Sequence, residues 1–513
     1  MSSLYRAVTL TALLEAGRDG SPAIGAPERQ ALTHGELRAL CARTVKSLNA
    51  MGIGRNDRVA MVLPNGPEMA ASFIAIACGA TTAPLNPAYR TEEFEFYLSD
   101  LNAKALVILK GMDSPALGVA KAHGIPVVEL ISGHKSGDFT LEGTTGAAAP
   151  TKGGFAEEND IALVLHTSGT TSRPKIVPLS QANVTASAYH IGNTLALRED
   201  DVCLNIMPLF HIHGLIAATL SSIAAGASVV CTPGFNALKF FSWFEEARPS
   251  WYTAVPTMHQ AILTRADRNR DIIAKGRLRL IRSSSASLPP QVMEALEQTF
   301  GVPVIEAYGM TEAAHQKATN PLPPKARFAG CVGIAAGPDV AIMDEVGKLL
   351  AAGELGEVVI RGRNVTTGYE SNPEANAKAF TNGWFRTGDQ GVMDEQGYLR
   401  LTGRLKELIN RGGEKISPLE VDTIIMDHPA VAQVVTFAVP HDKLGEDIAA
   451  AVVLREGAAC DERELRSFVS GRVADFKVPR RIVFLTEIPK GATGKLQRIG
   501  LHEKLADKLG LAG

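Results

Sequence analysis

The sequence predicts a large N-terminal domain of α/β layers with a small barrel-like β unit, followed by a small α+β domain. Two patterns and the chain length predict this class. Apolar, β-branched runs alternate with helix-like segments up to about Val332, which is typical of parallel sheets covered by helices. From Val332 the pattern changes to short strands and turns. The length of 513 residues exceeds what one core normally serves, so a second domain is expected.

The predicted domain boundary lies between residues 1–403 and 404–513. A new unit begins near Gly403 and Arg404, with strands and helices of its own that suit a small α+β domain.

The early elements are predicted from helix caps and apolar runs. Thr33 and Glu36 have the spacing of a capping box and begin a helix. Strands are predicted over Arg58 to Leu63 and over Ala105 to Leu109, and Thr91 is predicted to cap the helix between them. Strands that alternate with helices indicate parallel connections.

The stretch DIALVLHTSGTTSRPK, from Asp160 to Lys175, combines a strand with a loop of small residues. Ile161 to Leu165 has the composition of a buried strand. Small residues let the backbone approach an oxyanion, hydroxyls and N–H groups can donate to it, and Lys175 adds a positive charge. The predicted phosphate-binding residues are Thr167, Ser168, Gly169, Thr170, Thr171 and Lys175. The Gly-Lys-Ser/Thr ending of a Walker A loop is absent, and on this stretch alone an ordinary surface loop is an equally good interpretation.

Further predicted strands also lead directly into polar loops. The loop sequences are PLFHIHG, TPGF, PTMH, RSSSAS and YGMTE. In open α/β sheets, ligands bind outside the carboxyl ends of the strands. We therefore expect the functional residues on these loops.

Composition and charge favour a small-molecule partner. Lys and Arg total 52 against 54 Asp and Glu, so no excess charge would attract nucleic acid or an anionic membrane. The six cysteines have no paired spacing, which predicts reduced and mostly buried thiols, with no zinc site or disulfide framework. The N-terminus lacks a basic region followed by an apolar core, and no apolar run is long enough to span a bilayer, so we expect a cytoplasmic protein.

Six motifs in order carry a family resemblance. They are TSGTTSRPK, PLFHIHG, EAYGMTE, TGDQG, TGRLKELINRGGEKISPLEVD and PKGATGKLQR. With them the chain resembles the adenylate-forming superfamily, which contains acyl-CoA synthetases, peptide-synthetase adenylation domains and beetle luciferases. The stretches PLNPAYRTEEFEFYLSD, RSSSAS and INRGGEKISP are most similar to oxalate:CoA ligases.

The resemblance implies a two-step reaction with ATP, Mg²⁺ and coenzyme A. A carboxylate attacks the α-phosphate of MgATP, giving an acyl adenylate and pyrophosphate, and the CoA thiol then displaces AMP. The first step brings two anions together and therefore needs positioning and charge neutralisation.

The resemblance also implies roles for the ATP-binding residues. The loop from Thr167 to Lys175 would hold the β- and γ-phosphates, and Glu312 would be the Mg²⁺ carboxylate, a hard oxygen ligand. Thr311 would support a phosphate and Tyr308 would stack on adenine. Asp389 and Arg404 would contact the ribose.

A mobile C-terminal domain is implied in the same way. Lys495 resembles the lysine that bridges the carboxylate and the α-phosphate during adenylation. Lys406 falls at the hinge position, where small backbone changes would rotate the domain. That rotation would withdraw Lys495 and bring Gly412 and Gly413 to the pantetheine channel.

The predicted acyl pocket is polar. Ser285 and His315 stand where long-chain members of the superfamily carry glycine and apolar residues, and the resemblance assigns His211 to the wall between substrate and pantetheine. Beside an alkyl chain these polar groups would be costly, whereas a second carboxylate makes them charge-assisted donors, particularly when His315 is protonated. Oxalate is the predicted substrate, with malonate and other short acids as alternatives.

Other functions and one departure stay open at this point. An adenylating enzyme that loads a carrier-protein phosphopantetheine is a second hypothesis, and a non-catalytic nucleotide-binding protein is a third. Ile176 stands where the superfamily has glycine after the phosphate-loop lysine. Either that position does not need a positive φ, or ATP handling is weakened.

Overall fold

A computed structural model describes residues 7–146, 149–167, 174–491 and 495–510. Its α/β layers, with a small C-terminal domain of sheet and helices, confirm the predicted fold class. Within these residues no helix is both long and apolar enough to cross a membrane. All six cysteines are free, and five of them are buried, as expected.

The larger sheet has nine strands, six of which form a parallel centre. Antiparallel strands flank that centre on both sides. In spatial order the strands are Ile334–Ala335, His315–Thr319, Val304–Met310, Leu280–Ser284, Trp251–Ala254, Val202–Asn205, Ser228–Cys231, Pro22–Ala26 and Arg29–Thr33.

A second sheet has seven strands and is parallel except at its two outer pairs. In order they are Phe139–Glu142, Val127–Ser132, Ala105–Leu109, Arg58–Val62, Thr81–Pro84, Ile161–Thr167 and Lys175–Ser180. The last two strands form the hairpin that carries the predicted phosphate loop.

A five-stranded antiparallel sheet follows, as the short strands after Val332 predicted. Its strands are Asp339–Met343, Leu355–Arg361, Phe380–Thr381, Trp384–Met393 and Leu399–Arg404. The chain then enters the C-terminal sheet, formed by Ile409–Arg411, Glu414–Ile416, Val431–His441, Gly445–Leu454 and Arg481–Phe484.

Helices cover these sheets. The α-helices are Leu10–Leu13, His34–Ala50, Pro67–Ala77, Thr91–Leu101, Pro115–Ala122, Gln181–Thr194, Ser221–Ala224, Phe240–Ala247, Pro256–Ala266, Arg270–Lys275, Pro290–Phe300, Pro373–Ala379, Pro418–Met426, Glu462–Ser470, Leu501–Lys504 and Ala506–Leu509. The 3₁₀ turns are Leu14–Ala16, Asp267–Asn269, Thr311–Ala313 and Asp475–Lys477, and His213–Leu220 is a π-helix.

The helix caps were largely predictable. Thr33 and Glu36 form the expected capping box, because the Thr33 hydroxyl accepts from the Glu36 N–H and the Glu36 carboxylate accepts from the Thr33 N–H. The prediction for Thr91 was wrong by one residue. The N-cap there is Arg90, and Thr91 is the first helical residue.

The core lies between the two large sheets. Helix Pro67–Ala77 is buried on nearly every side, because residues of both sheets pack around it in one apolar cluster. This packing fixes the sheets relative to each other. Their strand ends and the loops that follow therefore have defined positions.

Candidate active site

Most of the predicted site residues lie at the ends of strands or immediately after them. Lys175 begins one strand of the hairpin in the smaller sheet, and Ser285, Thr311 and Glu312 directly follow strands of the larger one. Of the predicted phosphate loop, Thr167 and Lys175 are described, while Ser168, Gly169, Thr170 and Thr171 lie outside the described residues.

Lys175 and Glu312 lie on either side of Tyr369. The Lys175 ammonium is 4.2 Å from the centre of the Tyr369 ring, and the Tyr369 hydroxyl donates to Glu312 Oε1 at 2.8 Å. Burial lowers the pKa of Lys175, the Glu312 carboxylate opposes that shift, and the Lys406 ammonium adds to it. A cation and a carboxylate thus face the same space without forming a direct ion pair, which leaves both able to bind an incoming phosphate or metal.

Ile176 is a strand residue. It pairs with His166 in the antiparallel hairpin, and its carbonyl accepts from the Glu370 N–H at 3.1 Å. Its side chain is buried in an apolar cluster with Val164. Its backbone does not have a positive φ, so the absence of glycine is accommodated by the local strand geometry.

Asp389 joins the residues expected at the nucleoside. The Tyr308 hydroxyl donates to Asp389, and Arg404 Nε donates to Asp389 Oδ1 at 3.0 Å. Asp389 and Arg404 are also register partners on adjacent strands. A carboxylate held in this way can accept hydrogen bonds from a ribose diol.

Lys317, which the sequence analysis did not select, lies beside this carboxylate. It is completely buried, with its ammonium 3.6 Å from Asp389 Oδ2 and 3.3 Å from the centre of the Tyr308 ring. Burial lowers the pKa of Lys317 to about 7, and Asp389 limits the shift. One face of the Tyr308 ring is therefore covered by a protein cation.

Lys495 lies within the electrostatic reach of the same groups. Burial lowers the pKa of Lys495 to about 8, Arg404 adds to the shift and Asp389 opposes it. Lys495 in turn lowers the pKa values of His211 and His315. Lys495 therefore lies near both the residues predicted for the nucleoside and those predicted for the acyl group.

Gly412 and Gly413 are not part of this constellation. They form the exposed turn between Ile409–Arg411 and Glu414–Ile416, and both have positive φ values, 62° and 98°. Lys406 lies in the turn that leaves strand Leu399–Arg404, in which Leu405 N–H donates to Gly388 and Glu407 N–H donates to Arg404. The conformation therefore has Lys495 in the site and the glycine turn outside it.

Three histidines lie together at the predicted acyl end of the site. His213 begins the π-helix, its Nδ1 lies 3.0 Å from Ser285 Oγ, and its Nε2 lies 2.6 Å from Thr253 Oγ1. Its backbone N–H donates to His211 Nδ1 at 3.3 Å. Because Nδ1 of His211 accepts, the neutral ring carries its proton on Nε2 and can donate there.

His315 stacks on His213, with ring centres 5.0 Å apart, and Arg282 Nη2 donates to its Nε2 at 3.1 Å. Burial and Arg282 lower the pKa of His315 well below its usual value. Burial likewise lowers the pKa of His211 to about 3. The extra strength that protonation of His315 would give is therefore not expected, because a buried imidazole beside a guanidinium stays neutral.

Backbone strain is concentrated here. Ser285, Ala314 and His315 have φ values of 75°, 46° and 104°. Non-glycine residues with such values are uncommon and persist where the surrounding structure holds them. These conformations orient the Ser285 hydroxyl and the His315 ring in the pocket.

The residues fit a hard divalent cation such as Mg²⁺. Glu312 is a buried carboxylate whose Oε1 accepts one hydrogen bond, from Tyr369. Among the described contacts, neither a Cys nor a His side chain hydrogen-bonds to it. One carboxylate, with phosphate oxygens completing the shell, is how Mg²⁺ is commonly held. The three-residue group in the described chain that could hold a metal, His428, Cys460 and Glu464, lies in the C-terminal domain.

Comparison with known proteins identifies the family. The AMP-binding enzyme family matches residues 15–370, and the AMP-binding enzyme C-terminal domain matches residues 420–495. The chain belongs to the AMP-binding enzyme family.

Proteins similar in sequence or fold match nearly the whole chain. The chain is 44% identical to an oxalate–CoA ligase of Arabidopsis thaliana over 91% of this chain and 92% of that one. It is 41% identical to an oxalate–CoA ligase of Saccharomyces cerevisiae over 88% and 87%. ATP-bound MatB from Rhodopseudomonas palustris has the same fold, with a TM-score of 0.87 and 29% identity, covering 98% of this chain and 99% of that one. The protein is an AMP-forming carboxylate–CoA ligase with ATP and CoA as substrates.

The site of the ligase contains charged groups that sequence reasoning passed over. Arg282 is the first residue of the stretch RSSSAS, for which the sequence analysis names only Ser285 as a substrate contact. Lys317 follows His315 by two residues. The available signal was a cation within an otherwise apolar or small-residue strand, since Lys and Arg are rarely fully buried without a role or a partner.

Proposed function

We propose that the ligase converts oxalate, ATP and CoA to oxalyl-CoA, AMP and pyrophosphate. The observation that carries the proposal is the composition of the acyl pocket. His211, His315 and Ser285 lie together in a hydrogen-bonded group with His213 and Arg282, a polar and cationic environment that suits a second carboxylate better than an alkyl chain. The two oxalate–CoA ligase relatives, at 44% and 41% identity, support the same substrate.

In the first step, Lys495 neutralises the charge between the oxalate carboxylate and the α-phosphate. Its electrostatic coupling to Asp389 on one side and to His211 and His315 on the other supports this role. Lys175 would bind the β- and γ-phosphates with Thr167, Ser168, Gly169, Thr170 and Thr171, and Thr311 would support a phosphate oxygen. Preorganised cations lower the barrier because they stabilise charge without rearrangement in the transition state.

The group formed by Asp389, Arg404 and Tyr308 would bind the nucleoside. Asp389 and Arg404 would bind the ribose hydroxyls, and Tyr308 would stack on adenine with the ring face opposite Lys317. Glu312 would hold Mg²⁺, which would supply positive charge to neutralise the phosphates.

In the second step, the C-terminal domain would rotate at Lys406. That motion would withdraw Lys495 and bring Gly412 and Gly413 to the pantetheine channel, past His211. The exposed glycine turn and the proximity of Lys495 to Asp389, Arg404 and His211 suit adenylation, so we expect a rotation before thioester formation.

The test is a panel of carboxylates assayed for AMP release by the purified protein, with and without CoA. Oxalate should give the highest kcat/KM, with oxalyl-CoA as the product detected by mass. Preference for malonate would move the substrate to a longer diacid, and preference for hexanoate would overturn the polar interpretation of the pocket. AMP release that requires a carrier protein in place of CoA would overturn the choice of acceptor.

A further inference from the structure

Arg282 is completely buried beside the acyl pocket, and all of its neighbours within hydrogen-bond distance are neutral. Its Nη2 lies 3.1 Å from His315 Nε2 and 3.4 Å from Gln316 Oε1. Its Nη1 lies 3.5 Å from both His213 Nε2 and Thr253 Oγ1. Its Nε has no hydrogen-bond partner among the described residues.

No carboxylate neutralises this guanidinium within the part of the chain that the structure describes. Glu306, on the neighbouring strand, is the register partner of Ser283 and so belongs to the opposite face of the sheet. There its Oε1 accepts from the Leu288 N–H. Burial lowers the pKa of Arg282 to about 9, which leaves it charged at neutral pH.

Arg279, three residues earlier, shows the usual arrangement. Its guanidinium forms an ion pair with the buried Asp201 at 2.7 Å. A buried cation without such a partner is costly, because the loss of hydration is not offset. The absence of an acid beside Arg282 therefore suits a site whose anion arrives with the substrate.

We propose that Arg282 makes the acyl pocket select acids that carry a second anionic group, and that it acts as a positioning residue through His315. The inference rests on the proposed function and adds the source of its selectivity. Arg282 donates to His315 Nε2, so the neutral ring carries its proton on Nδ1. The N–H at Nδ1 then donates to the far carboxylate, while the guanidinium behind the ring supplies the countercharge.

Gly309 leaves room for this geometry. A Cβ on Gly309 would lie 3.0 Å from His315 Nδ1 and 2.3 Å from the His315 carbonyl oxygen. The absence of a side chain at residue 309 therefore lets the His315 backbone and ring lie at this distance, and a larger residue there would displace the ring.

The test compares oxalate with oxamate, in which an amide replaces the far carboxylate with nearly the same shape. The assay is acyl-dependent ATP–pyrophosphate exchange by the full-length protein, which reports the first step with either acid. In Arg282→Met, the ratio of kcat/KM for oxalate to that for oxamate should fall roughly tenfold to a hundredfold, the effect of losing one charge-assisted interaction. Arg282→Lys keeps the charge and should restore part of the ratio.

The pH dependence separates Arg282 from the ionisable groups that face His315. Those groups are His211, His213, Lys317 and Lys495. The wild-type ratio should stay level between about pH 6 and 8, because Arg282 remains charged there while the histidines remain neutral. Titration of Lys495 affects both acids and cancels in the ratio. A ratio that rises steeply toward pH 6 would assign the charge to a histidine and overturn the proposal.

Arg279→Met is the matched control. It removes the arginine that immediately precedes the strand of Arg282 and takes away the ion-pair partner of Asp201, so it should lower the melting temperature without changing the acid ratio. Arg282→Met should keep or raise the melting temperature, because it replaces an unpaired buried charge with an apolar side chain. An equal loss with both acids in Arg282→Met would show a merely structural role and overturn the proposal.

The design also separates this inference from the proposed function. If the wild-type protein prefers malonate, the pair malonate and malonamate takes the place of oxalate and oxamate, and the same ratio decides. In that case the assignment of oxalate is overturned, and the role of Arg282 is still measured. If the wild-type protein prefers acids with an uncharged far end, the oxalate assignment and the proposed role of Arg282 are both overturned.

Discussion

The ammonium nitrogen of Lys317 lies 3.3 Å from the centre of the Tyr308 ring, inside the protein. Its pKa is lowered to about 7 by burial, while in the unfolded chain the ordinary value applies. Above pH 7 the unfolded state therefore binds more protons than the native state, and stability rises with pH up to the unfolded pKa. The free-energy cost of burying Lys317 is greatest below pH 7, where its side chain is charged in the native state.

This linkage predicts a pH-dependent difference between wild type and Lys317→Met. The difference in the free energy of unfolding, wild type minus variant, should rise by up to about 1.4 kcal/mol per pH unit between pH 7 and 9. Urea denaturation followed by tryptophan fluorescence measures it, since Trp243, Trp251 and Trp384 all precede the C-terminal domain. Parallel curves for the two proteins would show that Lys317 stays charged when buried.

Lys317 and Arg282 mark the limit of what the sequence predicted. The alternation of strands and helices predicted the α/β class, and the motifs selected Tyr308, Asp389 and Arg404, which contact one another in the structure. Neither cation could be placed from sequence, because its burial depends on strand neighbours distant in the chain. A local pattern assigns Lys and Arg to the surface by default.

The charge state of His315 shows the same limit. The prediction rested on the polarity of the imidazole, and protonation would have strengthened its hydrogen bond to a carboxylate. The neutral state of the ring follows from Arg282 and from burial, which are both properties of the folded sheet. The sequence shows that residue 315 is a histidine, whereas its charge state depends on the groups that surround it in the folded protein.

Lys495→Ala should separate the two half reactions. We expect adenylate formation to fall about a thousandfold or more, because no other group brings a positive charge between carboxylate and α-phosphate, while thioester formation from supplied acyl adenylate largely survives. In the wild type, kcat/KM for adenylation should fall above about pH 8, where Lys495 loses its proton. Equal losses in both half reactions would remove Lys495 from this role.

Lys406→Pro should impair thioester formation far more than adenylation. Proline fixes φ in the turn after Arg404, and the rotation also has to break hydrogen bonds between domains, such as Gln260 Nε2 to the Ala432 carbonyl at 3.1 Å. Lys406→Ala is the control, because it removes the charge near Lys175 and leaves the backbone free. Single-turnover measurements of each half reaction decide; equal behaviour of the two variants would place the pivot elsewhere.

Ile176→Gly should destabilise the protein without improving ATP binding. The isoleucine is a buried strand residue, so its removal should cost about 2–5 kcal/mol in the free energy of unfolding. Since its backbone has no positive φ, glycine adds nothing to the loop, and the KM for ATP should be unchanged or higher. Ile176→Val should cost only about 1 kcal/mol. A lower KM for ATP in the glycine variant would show that isoleucine constrains the phosphate loop.

His315→Ala should reduce kcat/KM for oxalate roughly tenfold to a thousandfold and affect acetate or butyrate far less, because only oxalate has a second carboxylate to accept from the Nδ1–H. His315→Asn is the matched variant. Its amide nitrogen can occupy the place of Nδ1, and asparagine tolerates the positive φ of 104° better than most residues, so part of the oxalate activity should return. The comparison is made by steady-state kinetics with each acid at pH 7. Equal losses for oxalate and butyrate in the alanine variant would mean that His315 holds the pocket in shape and does not recognise the far carboxylate.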